Sequence, residues 1–128
     1  MSAMSDYLEN EILDHILGTG SYTMPSAVYI GLSTGSFGDD NSGTELSGSG
    51  YARVAATFNA AASGTADNAS AVQFAAATGS WGSVSHFGIF DASTGGNLLI
   101  HGAFTTAKTI ASGDILKIDA GDLDISAD

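Results

Sequence analysis

The sequence predicts a mainly β chain, an antiparallel sandwich or barrel-like single domain over residues 1–128 with a short N-terminal α-helix. Three observations carry that prediction. Apolar and polar residues alternate with a period of two in several runs between residue 25 and the end. Turns rich in Gly, Asp and Ser separate those runs, with no helical pattern between them. Only residues 5–17 carry the 3.6-residue period of a helix.

The helix comes first. Leu8, Ile12 and Ile16 recur at i, i+4 and i+8, joined by Leu13 and Leu17, while Glu9, Glu11 and Asp14 fill other faces. Ser5 is placed to cap the N-terminus, with Asp6 and Glu9 near the positive end of the helix dipole. Gly18 follows Leu17 and ends the helix. About three turns are too short to stand alone, so the apolar stripe must pack on its own domain or on a neighbouring subunit.

Residues 25–128 are then read as a β-sandwich. Residues 27–32, introduced by Pro25, form a strand with Val28, Ile30 and Leu32 on one face. A loop rich in Gly, Ser and Asp spans 33–50, long enough to suggest function or an interface. Residues 51–58 form a second strand and 71–75 a weaker one, with 60–70 read as a connection. The clearest strands are 84–90 and 98–104, joined as a hairpin by the Gly-rich segment 91–97. Leu116, Ile118 and Ala120 alternate with Lys117 and Asp119, as in a strand buried on one face. Gly121 and Asp122 mark a bend, after which Leu123 and Ile125 resume the alternation. No linker and no internal repeat interrupts the chain.

Composition narrows the function. Apolar residues make up 44% of 128 residues, enough for one globular core. Ala dominates that count, and each buried methylene contributes only about 0.8 kcal/mol, so partners are an expected source of further stability. Fourteen acidic residues face only Arg53, Lys108 and Lys117, a formal net charge of −11. Such a surface repels phosphates, so neither nucleic acid nor an anionic membrane is an expected partner. With no Cys there is neither a disulfide framework nor a thiolate metal site. The first 18 residues carry four acids and no base, unlike a secretion signal, and no stretch reaches the ~20 apolar residues of a spanning helix. The chain is therefore expected to be made in the cytoplasm.

Several motifs touch on chemistry without completing it. Gly31-Leu32-Ser33-Thr34-Gly35 fits the nucleophile-elbow pattern, but no helix follows to expose Ser33. Residues 39–45 crowd oxygen donors, yet the twelfth position of a calcium loop counted from Asp39 is Gly50 rather than Glu. His86 and His101 lie on the two hairpin strands without a third ligand or an H-E-x-x-H pattern. Asp119, Asp122 and Asp124 read as a solvated face. Asn68-Ala69-Ser70 is a glycosylation sequon by pattern only. Trp81, Phe87, Phe90, Tyr51 and Phe58 read as core aromatics. No catalytic, cofactor-binding or metal-ligating residue is assigned. The residues expected to meet a partner are Tyr7, near the helix start, with Leu8 and Ile12 of the stripe.

Several blocks together carry a resemblance. They are Leu8-Glu9-Asn10-Glu11-Ile12-Leu13-Asp14-His15, then Val28-Tyr29-Ile30-Gly31-Leu32-Ser33-Thr34 and Gly50-Tyr51-Ala52-Arg53-Val54. Next come Trp81 to Ala92, reading WGSVSHFGIFDA, then Gly95-Gly96-Asn97-Leu98-Leu99, Gly113-Asp114 and Ala120-Gly121-Asp122-Leu123. In order and over nearly the whole chain, they resemble a family of small tailed-phage virion structural proteins commonly labelled tail fibre or minor structural proteins. The resemblance implies a non-enzymatic virion protein acting by assembly, either as capsid decoration or cement, or as a tail- or fibre-associated protein. The expected partners are the chain itself, as a homo-oligomer such as a trimer, and another virion protein such as the major capsid or a tail protein. The alternative is a receptor- or carbohydrate-binding module using the 33–50 loop.

Overall fold

A computed structural model describes residues 2–127. The chain is mainly β and antiparallel, with one short helix near its N-terminus. A five-stranded sheet has the order β1 (Ser2–Met4), β7 (Leu98–Ile110), β6 (Gly82–Phe90), β2 (Val28–Ser33) and β3 (Val54–Ala56). Two ribbons supply the rest: β4 (Thr65–Asp67) with β9 (Asp124–Ser126), and β5 (Val72–Gln73) with β8 (Lys117–Ile118). The expected mainly β antiparallel class is what the structure shows, with the layer opposite the sheet split into two separate ribbons.

The main core lies between sheet and ribbons. Ile30, Leu32, Val84, Phe87 and Ile89 from the sheet meet Val72, Phe74, Leu116, Ile118, Leu123 and Ile125 from the ribbons and their flanks. The Tyr51 and Phe74 rings stack at 6.3 Å, and Trp81 meets Tyr51 edge-on at 5.6 Å, one of the offset and T-shaped arrangements aromatics prefer. The indole of Trp81 donates to the Ser49 carbonyl at 2.9 Å, so its one polar atom is satisfied inside the core.

The other face of the sheet carries a smaller core. Phe37, Phe90 and Leu98 are each at most 3% exposed, with the Phe37 and Phe90 rings 5.6 Å apart and nearly perpendicular. Beneath them Gly31 and Gly88 are register partners on β2 and β6, leaving room for the Phe90 ring. Phe37 belongs to the 33–50 loop, which therefore folds back over the sheet. The loop is tied by Leu46 N–H to the Leu32 carbonyl at 2.9 Å, Gly43 N–H to the Phe37 carbonyl at 2.8 Å, and Ser33 Oγ to the Thr44 carbonyl at 2.6 Å.

Four elements differ from the sequence expectation. β1 was not expected, and β4 lies inside the stretch read as a connection. The strand expected over 51–58 shrinks to Val54–Ala56 because the adjoining edge of β2 is already occupied. There the Leu32 N–H donates to the Tyr51 hydroxyl at 2.9 Å, and its carbonyl accepts from Leu46. β7 runs six residues past the expected end at 104, to Ile110, after an irregularity where Val84 pairs with Lys108 but His86 with Ala103.

Candidate assembly surface

The helix forms as its sequence dictates. α1 (Asp6–Ile16) starts at Ser5, whose backbone is extended and whose side-chain oxygen accepts the Leu8 N–H at 3.2 Å. Ser5 is itself 1% exposed, because its hydroxyl donates to the Leu98 carbonyl and its N–H to the Leu99 carbonyl. The Asp6 N–H reaches the Asp39 carbonyl at 2.9 Å. The cap therefore locks the helix to the start of β7 and to the 33–50 loop. At the far end Leu17 bonds back to Leu13, and Gly18 takes a φ of +79°, which a Cβ would disfavour.

This attachment divides the apolar stripe. Leu8 is 7% exposed, turned into a groove of about 300 Å³ whose walls include Tyr22, Pro25, Val28, Phe58 and Ile125. Ile12 is half-buried. Leu13, Ile16 and Leu17 face solvent at 55%, 71% and 71% exposure, and Met24 follows at 81%. Tyr7 sits at 37%, its phenol pushed above the usual range by partial desolvation and then by the Glu11 and Asp91 carboxylates. Of the three residues expected at a partner contact, Leu8 anchors the helix in its own chain while Tyr7 and Ile12 lie nearer the surface. The open apolar residues are the next turn of the same helix.

The polar candidates are engaged elsewhere. Ser33 is 1% exposed and lies opposite His86 on neighbouring strands, but its proton goes to the Thr44 carbonyl, and His86 Nδ1 pairs with Ser85 Oγ at 2.7 Å. His101 occupies the same face two rungs from His86 and meets Asp39 at 2.7 Å. The acids of 39–45 diverge. Asp39 turns to His101, Asp40 accepts the Ser42 N–H at 3.0 Å and is held below the usual carboxylate range by Ser42, and Glu45 points inward. Among the described residues no cluster of three or more His, Asp or Glu side chains suits a metal ion. Asp119, Asp122 and Asp124 are exposed, as their alternation predicts.

Sequence reasoning passed over two polar hubs. Glu45 accepts from Arg53 Nε at 2.9 Å and Nη2 at 2.7 Å, and Arg53 Nη1 reaches the Ala92 and Gly95 carbonyls at 2.8 Å each. The guanidinium lies 3.6 Å above the Phe90 ring centre, and Tyr51 donates to Glu45 from within a site that pushes its phenol far above the usual range. This hub clips the 91–97 hairpin to the 33–50 loop. The second hub is Asn68, fully buried, donating to the Ser70 and Asp119 carbonyls and accepting the Leu123 N–H at 2.9 Å. One signal was available: Arg53 is one of only three basic residues, and a cation so rare in an acidic chain invites a search for its carboxylate.

No curated protein matches the chain. The model of one protein family does match, over residues 3–126, a span that takes in the helix, all three sheets and both cores. By that match the chain belongs to the family described as podophage GP4 fiber I protein gp80, a phage fibre structural family.

Proposed function

We propose that this protein is a non-enzymatic part of the phage particle that works by assembly, joining copies of itself and binding another virion protein. The observation that carries the reading is the solvent-facing turn of α1, where Leu13, Ile16 and Leu17 remain uncovered on a helix otherwise fixed to the domain. An apolar group of that kind on a chain of net charge −11 marks a contact surface. The commitment of Ser33 to Thr44, of His86 to Ser85 and of Glu45 to Arg53 supports a structural role for the residues with catalytic chemistry. The family name favours a fibre-associated position over capsid decoration. The chain would be made in the host cytoplasm and act in the virion.

Quantitative mass spectrometry of purified particles, referenced to the major capsid protein, tests this. A small number of copies in multiples of three supports the fibre position. Hundreds would move the protein to the capsid lattice, and absence from particles would overturn the reading.

One observation favours a second role, receptor or carbohydrate binding through the 33–50 loop. Asp39, Asp40 and Asn41 of that loop border a polar recess of about 380 Å³ with Asp6, Tyr7 and Asn97. Carboxylate and amide acceptors beside an aromatic ring suit a sugar's hydroxyls and apolar face. A glycan array probed with the intact protein tests it, and binding that survives Asn97→Ala and Tyr7→Ala together would exclude this recess.

A further inference from the structure

We infer that the open turn of α1 docks a basic, apolar segment of a different virion protein, and that it is not the surface through which copies of this chain meet. The inference rests on the assembly reading above and specifies one of its contacts. Leu13, Ile16 and Leu17 stand at i, i+3 and i+4, so they form one contiguous group on the helix surface. Glu9 lies one turn before Leu13 and Asp6 begins the helix, both exposed. Asp6, Glu9, Glu11 and Asp14 give α1 four acids, and it has no Lys or Arg. The negative end of the helix dipole adds to this beside Leu17. The surface is thus an apolar patch within an acidic field. From Leu17 to Glu9 is eight residues, or about 12 Å along the axis, which sets the spacing between an apolar knob and a cation on the occupant.

A second copy cannot supply that occupant. Two copies meeting by this face would bring the Asp6 and Glu9 carboxylates of one against those of the other, and like charges facing each other across an interface are unfavourable. The chain's other surfaces offer few cations. Arg53 is buried against Glu45, Lys117 lies 3.5 Å from Asp119, and among the described residues only Lys108 has no carboxylate partner. Anionic lipid is repelled by the same acids. A partner segment carrying Leu or Ile beside Lys or Arg fits both the apolar patch and its field.

The test uses the intact protein and a fluorescent 18-residue amphipathic helix with a Leu face flanked by Lys. The controls are a scrambled peptide of the same composition and an all-Glu counterpart. The amphipathic peptide is expected to bind at one saturable site at least about tenfold tighter than the scrambled one. Leu13→Asp and Ile16→Asp should each weaken binding about tenfold with no change in melting temperature. Glu9→Gln should weaken it, and Asp122→Asn, which removes one charge from the turn after β8, should not. Equal binding of the scrambled peptide, or equal effects of Glu9→Gln and Asp122→Asn, would reduce the attraction to net charge and overturn the proposal. So would sedimentation showing an oligomer that Ile16→Asp converts to monomer, because the occupant would then be a second copy. Either failure leaves the particle stoichiometry, and with it the assembly reading, intact.

Discussion

Gly31 and Gly88 sit directly opposite each other on β2 and β6, and the edge of the Phe90 ring fills the space their missing side chains leave. A Cβ on Gly31 would stand 2.9 Å from Phe90 Cε1 and 2.8 Å from Glu45 Oε2. One on Gly88 would stand 2.9 Å from both Phe90 Cε1 and Leu98 Cδ1. Either contact pushes on the small core and, through Phe90, on the guanidinium above it. Gly88→Ala is expected to destabilise by about 1–3 kcal/mol, the usual range for overpacking. Urea denaturation measures it, and a neutral result would show that the Phe90 ring can step aside.

Arg53 predicts a larger loss. Its Glu45 partner is largely buried, so Arg53→Ala leaves a carboxylate with only the Tyr51 hydroxyl, and the Ala92 and Gly95 carbonyls without the guanidinium. The expected cost is about 3–5 kcal/mol. Arg53→Lys should recover little, because an ammonium cannot bond Glu45 twice while also reaching Ala92 and Gly95. Equal stability of the Lys variant would mean that charge alone matters here.

Tyr51 gives a pH dependence with a definite sign. Its phenol is held above the ordinary value of 10.0, first by burial and then by its hydrogen bond to Glu45. The folded state therefore keeps this proton where the unfolded state releases it. Stability from this group is fully present below about pH 10 and declines as pH rises further. Tyr51→Phe should make the alkaline decline shallower while costing about 1–3 kcal/mol at neutral pH, since the Leu32 N–H loses its acceptor. Denaturant titrations between pH 8 and 11.5 read both effects.

Asn68 should tolerate no substitution. Asn68→Asp keeps the shape but replaces the amide nitrogen and its two N–H donors by one oxygen facing the Ser70 and Asp119 carbonyls. A loss exceeding that of Asn68→Ala, which is about 1–3 kcal/mol, is expected in thermal unfolding. The reverse order would mean that water satisfies the carboxylate.

The two ends of one helix stripe should behave oppositely. Leu8→Ala is expected to cost about 2–5 kcal/mol, because Leu8 is enclosed in its own chain. Ile16→Asp should change stability by no more than about 0.5 kcal/mol. Comparable losses at both positions would place Ile16 in a contact that its 71% exposure contradicts.

What the sequence revealed follows the range of the forces involved. α1 was legible because its cap, period and terminal Gly18 act within a few residues of one another. So was the β6–β7 hairpin, whose turn and alternation are contiguous. β1 was not, since Ser2, Ala3 and Met4 carry no pattern and form a strand only where the edge of β7 accepts them. β4 is equally non-local, defined by β9 nearly sixty residues away. The 33–50 loop reads in the sequence as a functional or interface segment because Gly and Ser dominate it, and nothing local shows that Phe37, Glu45 and Leu46 fix its position against the sheet. On the assembly surface the helix was found, but periodicity could not tell which part of its stripe the chain itself covers.

The pairing of β1 with β7 and the position of β9 bring the two ends of the fold together. Ser126 N–H donates to Ser2 Oγ at 3.0 Å, joining residues 124 positions apart. A pull transmitted between these ends would load one corner, opening the three-residue β1 rung by rung before tension reached β2 or β6. Such a fold is poorly suited to carrying tension in series along a shaft. Force applied between residues 2 and 126 would instead be met first by the Ser2–Ser126 contact and the β1–β7 edge, leaving the β2–β6 centre of the sheet unloaded.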